Sequence, residues 1–233
     1  MSSYKDHRKK WQILTGSSII VMAIVAGFAY GFVRANIYRA GDFELTAKLL
    51  HENITLFKFG ILSWVVIFVL DIIVSIGLYA IYKESNKKLA IVVSGLRVIY
   101  TLFLGVAVTQ LLAPLISNNE IANSLSYFES FENIWSVGLI IFGFHLSALG
   151  VICLKSNFTP KFWGIILIFG GVCYIIVHSL KSFFPNLSEA TLTMESILTV
   201  PMAFSEIGFA IWLLIKAIRL KESENYDKHK TIS

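Results

Sequence analysis

FGILSWVVIFVLDIIVSIGLYAIY, residues 59–82, contains one charged side chain, Asp71, in its whole length. About 20 residues rising 1.5 Å each cross a hydrocarbon layer about 30 Å thick. The apolar run that holds this stretch, Leu56–Tyr82, is long enough to do so. Five other runs share its character: Trp11–Val33, Leu89–Ile116, Ile134–Leu154, Phe162–Leu180 and Ile197–Ile215. Within lipid a chain must satisfy its own backbone hydrogen bonds, so runs of this length form helices. The expected fold is all-α, a polytopic bundle of six transmembrane helices. Composition agrees: 15% of the 233 residues are charged and 56% are hydrophobic, against about 25% charged in a soluble domain. The first run is longer than a signal-peptide core of about 7–15 residues and lacks a small-x-small cleavage site, which makes it an uncleaved first span.

The net charge of +5 raises the possibility of a nucleic-acid partner, and its distribution removes it. Lys5, Arg8, Lys9 and Lys10 precede span one, Lys83, Lys87 and Lys88 join spans two and three, and Lys155 and Lys161 bracket the next link on that side. Lys216, Arg219, Lys221, Lys228 and Lys230 follow span six, so 14 of the 20 basic residues lie on one side. The positive-inside rule then places both termini in the cytoplasm, with anionic lipid as a further attraction for the basic surface. The chain divides into a cytoplasmic N-terminal segment (1–10), a membrane domain (11–217) and a polar C-terminal tail (218–233) whose composition predicts no fixed structure. Cys153 and Cys173 fall in apolar spans without CxxC spacing and read as small buried hydrophobes. There is no phosphate-binding glycine loop, HExxH, GxSxG, heptad array or internal repeat.

The links on the basic side are short, KESNKK and KSNFTPK, while those on the opposite side are longer. NEIANSLSYFESFEN places Ile121, Leu125, Phe128 and Phe131 at near-helical spacing, which suits either a short helix lying on the outer surface or a loop folded over helix ends. GDFELTAKLL is a weaker helix candidate. Gly143, Ser147 and Gly150 line one face of span four and Gly164 and Gly171 one face of span five, a pattern that lets helix backbones approach closely.

Four ionisable residues fall deep within spans: Asp71, Arg97, His145 and Glu206. They lie 12, 9, 10 and 10 residues from Lys83, Lys88, Lys155 and Lys216 respectively. At about 1.5 Å per residue, all four reach the membrane midplane. A charge there costs roughly 3 kcal/mol if it faces lipid, so the four are expected to face one another. The six-residue link between spans two and three makes Asp71 and Arg97 the natural ion pair. Glu206 takes another side of the guanidinium, and His145 donates to a carboxylate or titrates against it. Ser75, Tyr79 and Tyr82 share the Asp71 face, Ser94 and Thr101 flank Arg97, and Pro201 precedes Glu206 as a source of a kink. Tyr174 and His178, at i and i+4, form a shallower set with Gln110. A lock on helix register explains such a network as well as a functional site does.

Together, DI at 71–72, LY at 78–79, Arg97, FHLSALG at 144–150, PxxxG at 160–164, Tyr174 and ExxxAxWL at 206–213 resemble the domain of unknown function 4386 family of bacterial integral membrane proteins. The resemblance runs from span one to span six. It implies a multi-pass protein of the bacterial cytoplasmic (inner) membrane and assigns no activity, cofactor or catalytic residue.

Three functions compete. The midplane cluster binds or transports a proton, a cation or another small molecule. Alternatively, Asp71, His145 and Glu206 hold a metal or act as general acid and base on a lipid-like substrate. Against this, no paired-histidine motif is present, Arg97 repels a metal, and His145 and His178 stand at different depths, unlike a haem pair. In the third reading the protein is a structural or partner-binding membrane protein and the cluster is a register lock. The first is preferred. The partners are the bilayer and a small-molecule or lipid ligand, and sequence specifies neither cofactor nor oligomeric state.

Overall fold

A computed structural model of the chain describes residues 2–116 and 123–232. The described residues form helices and their connections, with no strand among them. Helix α1 (Ser2–Ala26) passes into a π-helical segment, Gly27–Arg34, and a last turn, α2 (Ala35–Ile37). These three pieces make the first span, His7–Ile37. A short helix, α3 (Phe43–Glu52), follows a turn at Gly41, whose φ of 74° is open to a residue without Cβ. Asp42 caps α3 by accepting from the Leu45 N–H at 2.9 Å. Spans two to five are α4 (Ile54–Tyr82), α5 (Lys87–Ile116), α6 (Ser124–Lys155) and α7 (Lys161–Phe183). The sixth lies in α8 (Ser188–Ile232), which runs unbroken past Pro201 and on through the polar tail. Extending a formed helix is far easier than nucleating one, so a span can carry its helix into residues whose composition favours none.

Each of the six spans has a large apolar side chain more than half exposed, namely Ile24, Leu62, Leu102, Phe144, Ile165 and Val200. A girdle of that kind is a surface for lipid, and the protein is a multi-pass membrane protein.

Span four begins ten residues before the apolar run suggests, and this corrects the reading of residues 124–132 as a surface helix or covering loop. Leu125, Phe128 and Phe131 are buried one above another on α6. Phe128 packs against Phe57 and Tyr38 at ring distances of 5.6 and 5.5 Å, and Phe131 against Trp64 at 5.0 Å. Burial of these rings holds the segment in line with the span. Glu120 and Ile121 lie outside the described residues.

The spans form a ring in chain order, with α1 on α4, α4 on α5, α5 on α6, α6 on α7, α7 on α8, and α8 back on α1. Two seams show how the sequence sets this arrangement. Between α4 and α5, Ser75 Oγ donates to the Ser94 carbonyl and Ser94 Oγ to the Ser75 carbonyl, each at 2.9 Å. Between α6 and α7, Gly143 faces Gly171 and Gly150 faces Gly164, so closely that a Cβ on Gly143 or Gly150 would stand 2.6 Å from the facing carbonyl oxygen.

Candidate functional site

Four of the ring's helices point an ionisable residue at its axis, at one level. Arg97, on α5, is fully buried. Its Nε donates to Asp71 Oδ1 on α4 at 2.8 Å, and Nη2 lies 2.6 Å from the same oxygen. Nη1 and Nη2 donate to Glu206 Oε1 on α8 at 3.2 and 3.1 Å. Nη1 also lies 3.2 Å from His145 Nε2 on α6. The ring of Phe142 stands 5.3 Å from the guanidinium carbon. Every guanidinium nitrogen is therefore engaged.

The role of His145 differs from the one expected. An arginine has no acceptor, so the imidazole Nε2 must accept from Nη1 and carries no proton. Nδ1 lies 2.8 Å from the Val93 carbonyl and donates to it. His145 is thus a neutral ring with the proton on Nδ1. It neither donates to a carboxylate nor faces one. Wholly buried, it holds Arg97 in place through α5's own backbone. His145→Phe is expected to destabilise the detergent-solubilised protein by about 1–3 kcal/mol, because a buried charged donor loses its acceptor. His145→Gln, which keeps an acceptor, should cost less. Thermal melts of the two variants check the order.

With Arg97 at +1 and two carboxylates at −1 each, the formal charge of the cluster is −1. The Glu206 side chain is 20% exposed, against 2% for Arg97 and Asp71. Its Oε1 takes the arginine, and among the described residues no group bonds to Oε2. Glu206 lines a cavity of about 130 Å³ to which all six spans contribute. Its wall carries Trp64, Tyr100, Trp135, Phe142 and Tyr174, with Met22 from span one. Along each helix these residues lie on the side of the cluster away from the basic end. On the other side Leu78, Leu146, Phe209 and Leu213 are packed to 1% exposure or less. The ion cluster is the floor of the cavity.

A second cavity, about 180 Å³, continues in the same direction and shares Trp135, Leu139 and Tyr174 with the first. It holds the shallower set that the sequence suggested, in part. His178 Nδ1 lies 3.0 Å from Ser136 Oγ, and its ring stacks on Tyr174 at 5.9 Å. Charged residues rim it: Lys181 pairs with Glu195 at 3.7 Å, and Arg34 pairs with Glu132. Gln110 does not join this set, and its side chain bonds to neighbouring Thr109.

The other supporting residues separate from the site. Ser75 and Ser94 are spent on their mutual seam. Thr101 Oγ1 donates back to the Arg97 carbonyl at 2.8 Å. Tyr79 is half-buried and does not line the cavity. Tyr82 lies towards the basic end, its hydroxyl 2.7 Å from Thr159 Oγ1 and 3.2 Å from Cys153 Sγ. Among the described residues no three of His, Cys, Asp and Glu gather in a way that would hold a metal ion. Attention to charge missed the aromatic wall. A spacing signal existed, since Tyr100 is three residues after Arg97, Phe142 three before His145 and Trp64 seven before Asp71. The Val93 carbonyl, being backbone, left no signal.

The sequence pattern of a family described as a domain of unknown function, DUF4386, matches residues 14–217. An uncharacterized protein of the archaeon Archaeoglobus fulgidus is 27% identical over 164 residues, covering 70% of this chain and 87% of the relative. The resemblance is therefore not confined to bacteria. No solved structure matches. With spans two to five whole, most of spans one and six, and all four residues of the cluster inside the matched segment, the chain belongs to the DUF4386 family.

Proposed function

We propose that the protein binds a small cation at Glu206, and that the cation reaches it from the end opposite the basic residues, as the binding step of transport. The carrying observation is the half-used Glu206 carboxylate in a site of formal charge −1, open to a cavity that continues towards that end. Asp71 and Arg97 form a fixed support, and Glu206 supplies the charge. The positive-inside rule makes the basic end cytoplasmic, so the cavity faces outward, across the cell membrane in a bacterial or archaeal host. Acid–base chemistry on a lipid is less well supported, because His145 has committed both ring nitrogens and Arg97 binds both carboxylates.

Thermal melts of purified protein in sodium, potassium and tetramethylammonium chlorides at constant ionic strength test the reading, together with pH-jump currents from reconstituted membranes for the proton. A cation that binds only the folded protein stabilises it by about 2.7 kcal/mol at one hundred times its Kd. At least one of these cations is expected to raise Tm or carry current in the wild type and to do neither in Glu206→Gln. If none does either in the wild type, the cluster is a structural lock and the proposal is wrong.

A further inference from the structure

We propose that the cation is an alkylammonium, held with its methylated head against the aromatic wall and Glu206 as counter-charge. The inference rests on the reading that the midplane cavity takes a cation, and adds the chemical class.

The wall decides between classes. A metal cation of the hard type surrounds itself with about six or more oxygen atoms. The cavity lining offers the carboxylates of Glu206 and Asp71 and the hydroxyls of Tyr100 and Tyr174, fewer free oxygens than such a shell needs. One oxygen of each carboxylate, Asp71 Oδ1 and Glu206 Oε1, is already held by Arg97, and the aliphatic lining includes Ile19, Met22, Ile67 and Leu139. A sodium or potassium ion would surrender much of its hydration for an incomplete set of oxygens. An alkylammonium presents methyl groups in place of a tight water shell, so apolar lining costs it little. The faces of Trp, Tyr and Phe attract such cations, and cages of aromatic rings recognise quaternary ammonium groups. The rings here already pack into one unit. Trp64 meets Trp135 at 5.0 Å, Tyr100 meets Phe142 at 4.9 Å, and Phe142 meets Tyr174 at 5.2 Å. The Trp135 indole N–H lies 3.4 Å from the Tyr100 hydroxyl.

Size agrees. The cavity of about 130 Å³ is several times the roughly 10–15 Å³ that one water needs, and so has room for a group of a few heavy atoms such as a trimethylammonium head. A longer substituent can extend past Trp135 and Tyr174 into the outer cavity. There Glu132 and Glu195 stand at the entrance, each beside a basic partner, so the path carries no surplus of positive charge against an incoming cation.

The test is a fluorescence titration of the full-length protein in detergent. Trp64 and Trp135 line the cavity and respond to its occupation. Tetramethylammonium is expected to give a saturable change that sodium and potassium at equal ionic strength neither produce nor block. Tyr174→Phe, which keeps an aromatic face, should bind like the wild type. Tyr174→Leu should bind at least about tenfold more weakly, and Glu206→Gln should not bind. If sodium, potassium or protons occupy the site in a Glu206-dependent way and tetramethylammonium does not compete, the alkylammonium inference fails and the cation reading stands. If Tyr174→Leu binds tetramethylammonium as tightly as Tyr174→Phe, charge alone holds the ligand and the inference also fails. If the wild type responds to no cation, both fail. Competition between cations for the wild-type protein separates these classes without any variant, so a misfolded Tyr174→Leu does not leave the question open.

Discussion

Arg97→Ala melts well below the wild type, and below Asp71→Asn, His145→Gln and Glu206→Gln. The arginine side chain is 2% exposed and touches all three of the other residues. Removing it leaves two carboxylates facing each other in a hydrocarbon-thick layer with no counter-charge. Breaking a buried ion pair by deleting one partner costs about 3–5 kcal/mol, and here one deletion breaks two pairs. Each of the other substitutions alters one partner of an arginine that keeps the rest, and leaves an amide oxygen able to accept from it. The same logic gives a second, opposite result. Asp71→Asn, Arg97→Gln and Glu206→Gln combined remove all formal charge and leave groups that can still bond to one another. The triple variant should recover much of the loss, because charges removed as a set leave none unpaired. Melts of purified protein in one detergent decide both points. If Arg97→Ala unfolds with the wild type, the four residues do not form the cluster described.

The second large effect is at the seam of α6 and α7. A Cβ on Gly171 would lie 2.5 Å from the Gly143 carbonyl oxygen and 2.8 Å from the Ser147 nitrogen. Both are backbone atoms and cannot turn aside as a flexible side chain would. Gly171→Leu must therefore push the helices apart, at a cost of about 3 kcal/mol, the upper range for overpacking. Close approach of small residues is what joins helices where lipid is as apolar as the protein. The helices so displaced carry His145 and Tyr174, so loss of stability should bring loss of the cavity. Gly95→Ala is the control. It lies within α5, and a Cβ there meets nothing within 4 Å. It should be neutral or stabilising by up to about 1 kcal/mol. Equal melting of Gly171→Leu and Gly95→Ala would show that α6 and α7 are not in contact along the glycine face.

Much of this was legible in the sequence, and the residues show where legibility stops. The spans were legible because crossing a bilayer is a local requirement on length and hydropathy. Span four looks short in the sequence because Glu129 and Glu132 lower the local hydropathy, while the burial of Phe128 and Phe131 that keeps this segment helical depends on Phe57 and Trp64 of another span. The level shared by Asp71, Arg97, His145 and Glu206 was legible from counting. The partner of His145 was not. Its acceptor is the backbone of Val93, identical in kind to every other carbonyl in the chain.

The sequence by itself determined six helices, their order, the basic side and a midplane layer of four ionisable groups. Beyond the inward turn expected of the four ionisable residues, tertiary structure decided the rotation of each helix about its axis. Lipid tails and a protein core are equally apolar, so hydropathy along a span does not say which face turns inward. That rotation committed both ring nitrogens of His145 and left Glu206 half-used at a cavity, and it set Trp64, Tyr100, Trp135, Phe142 and Tyr174 around that cavity.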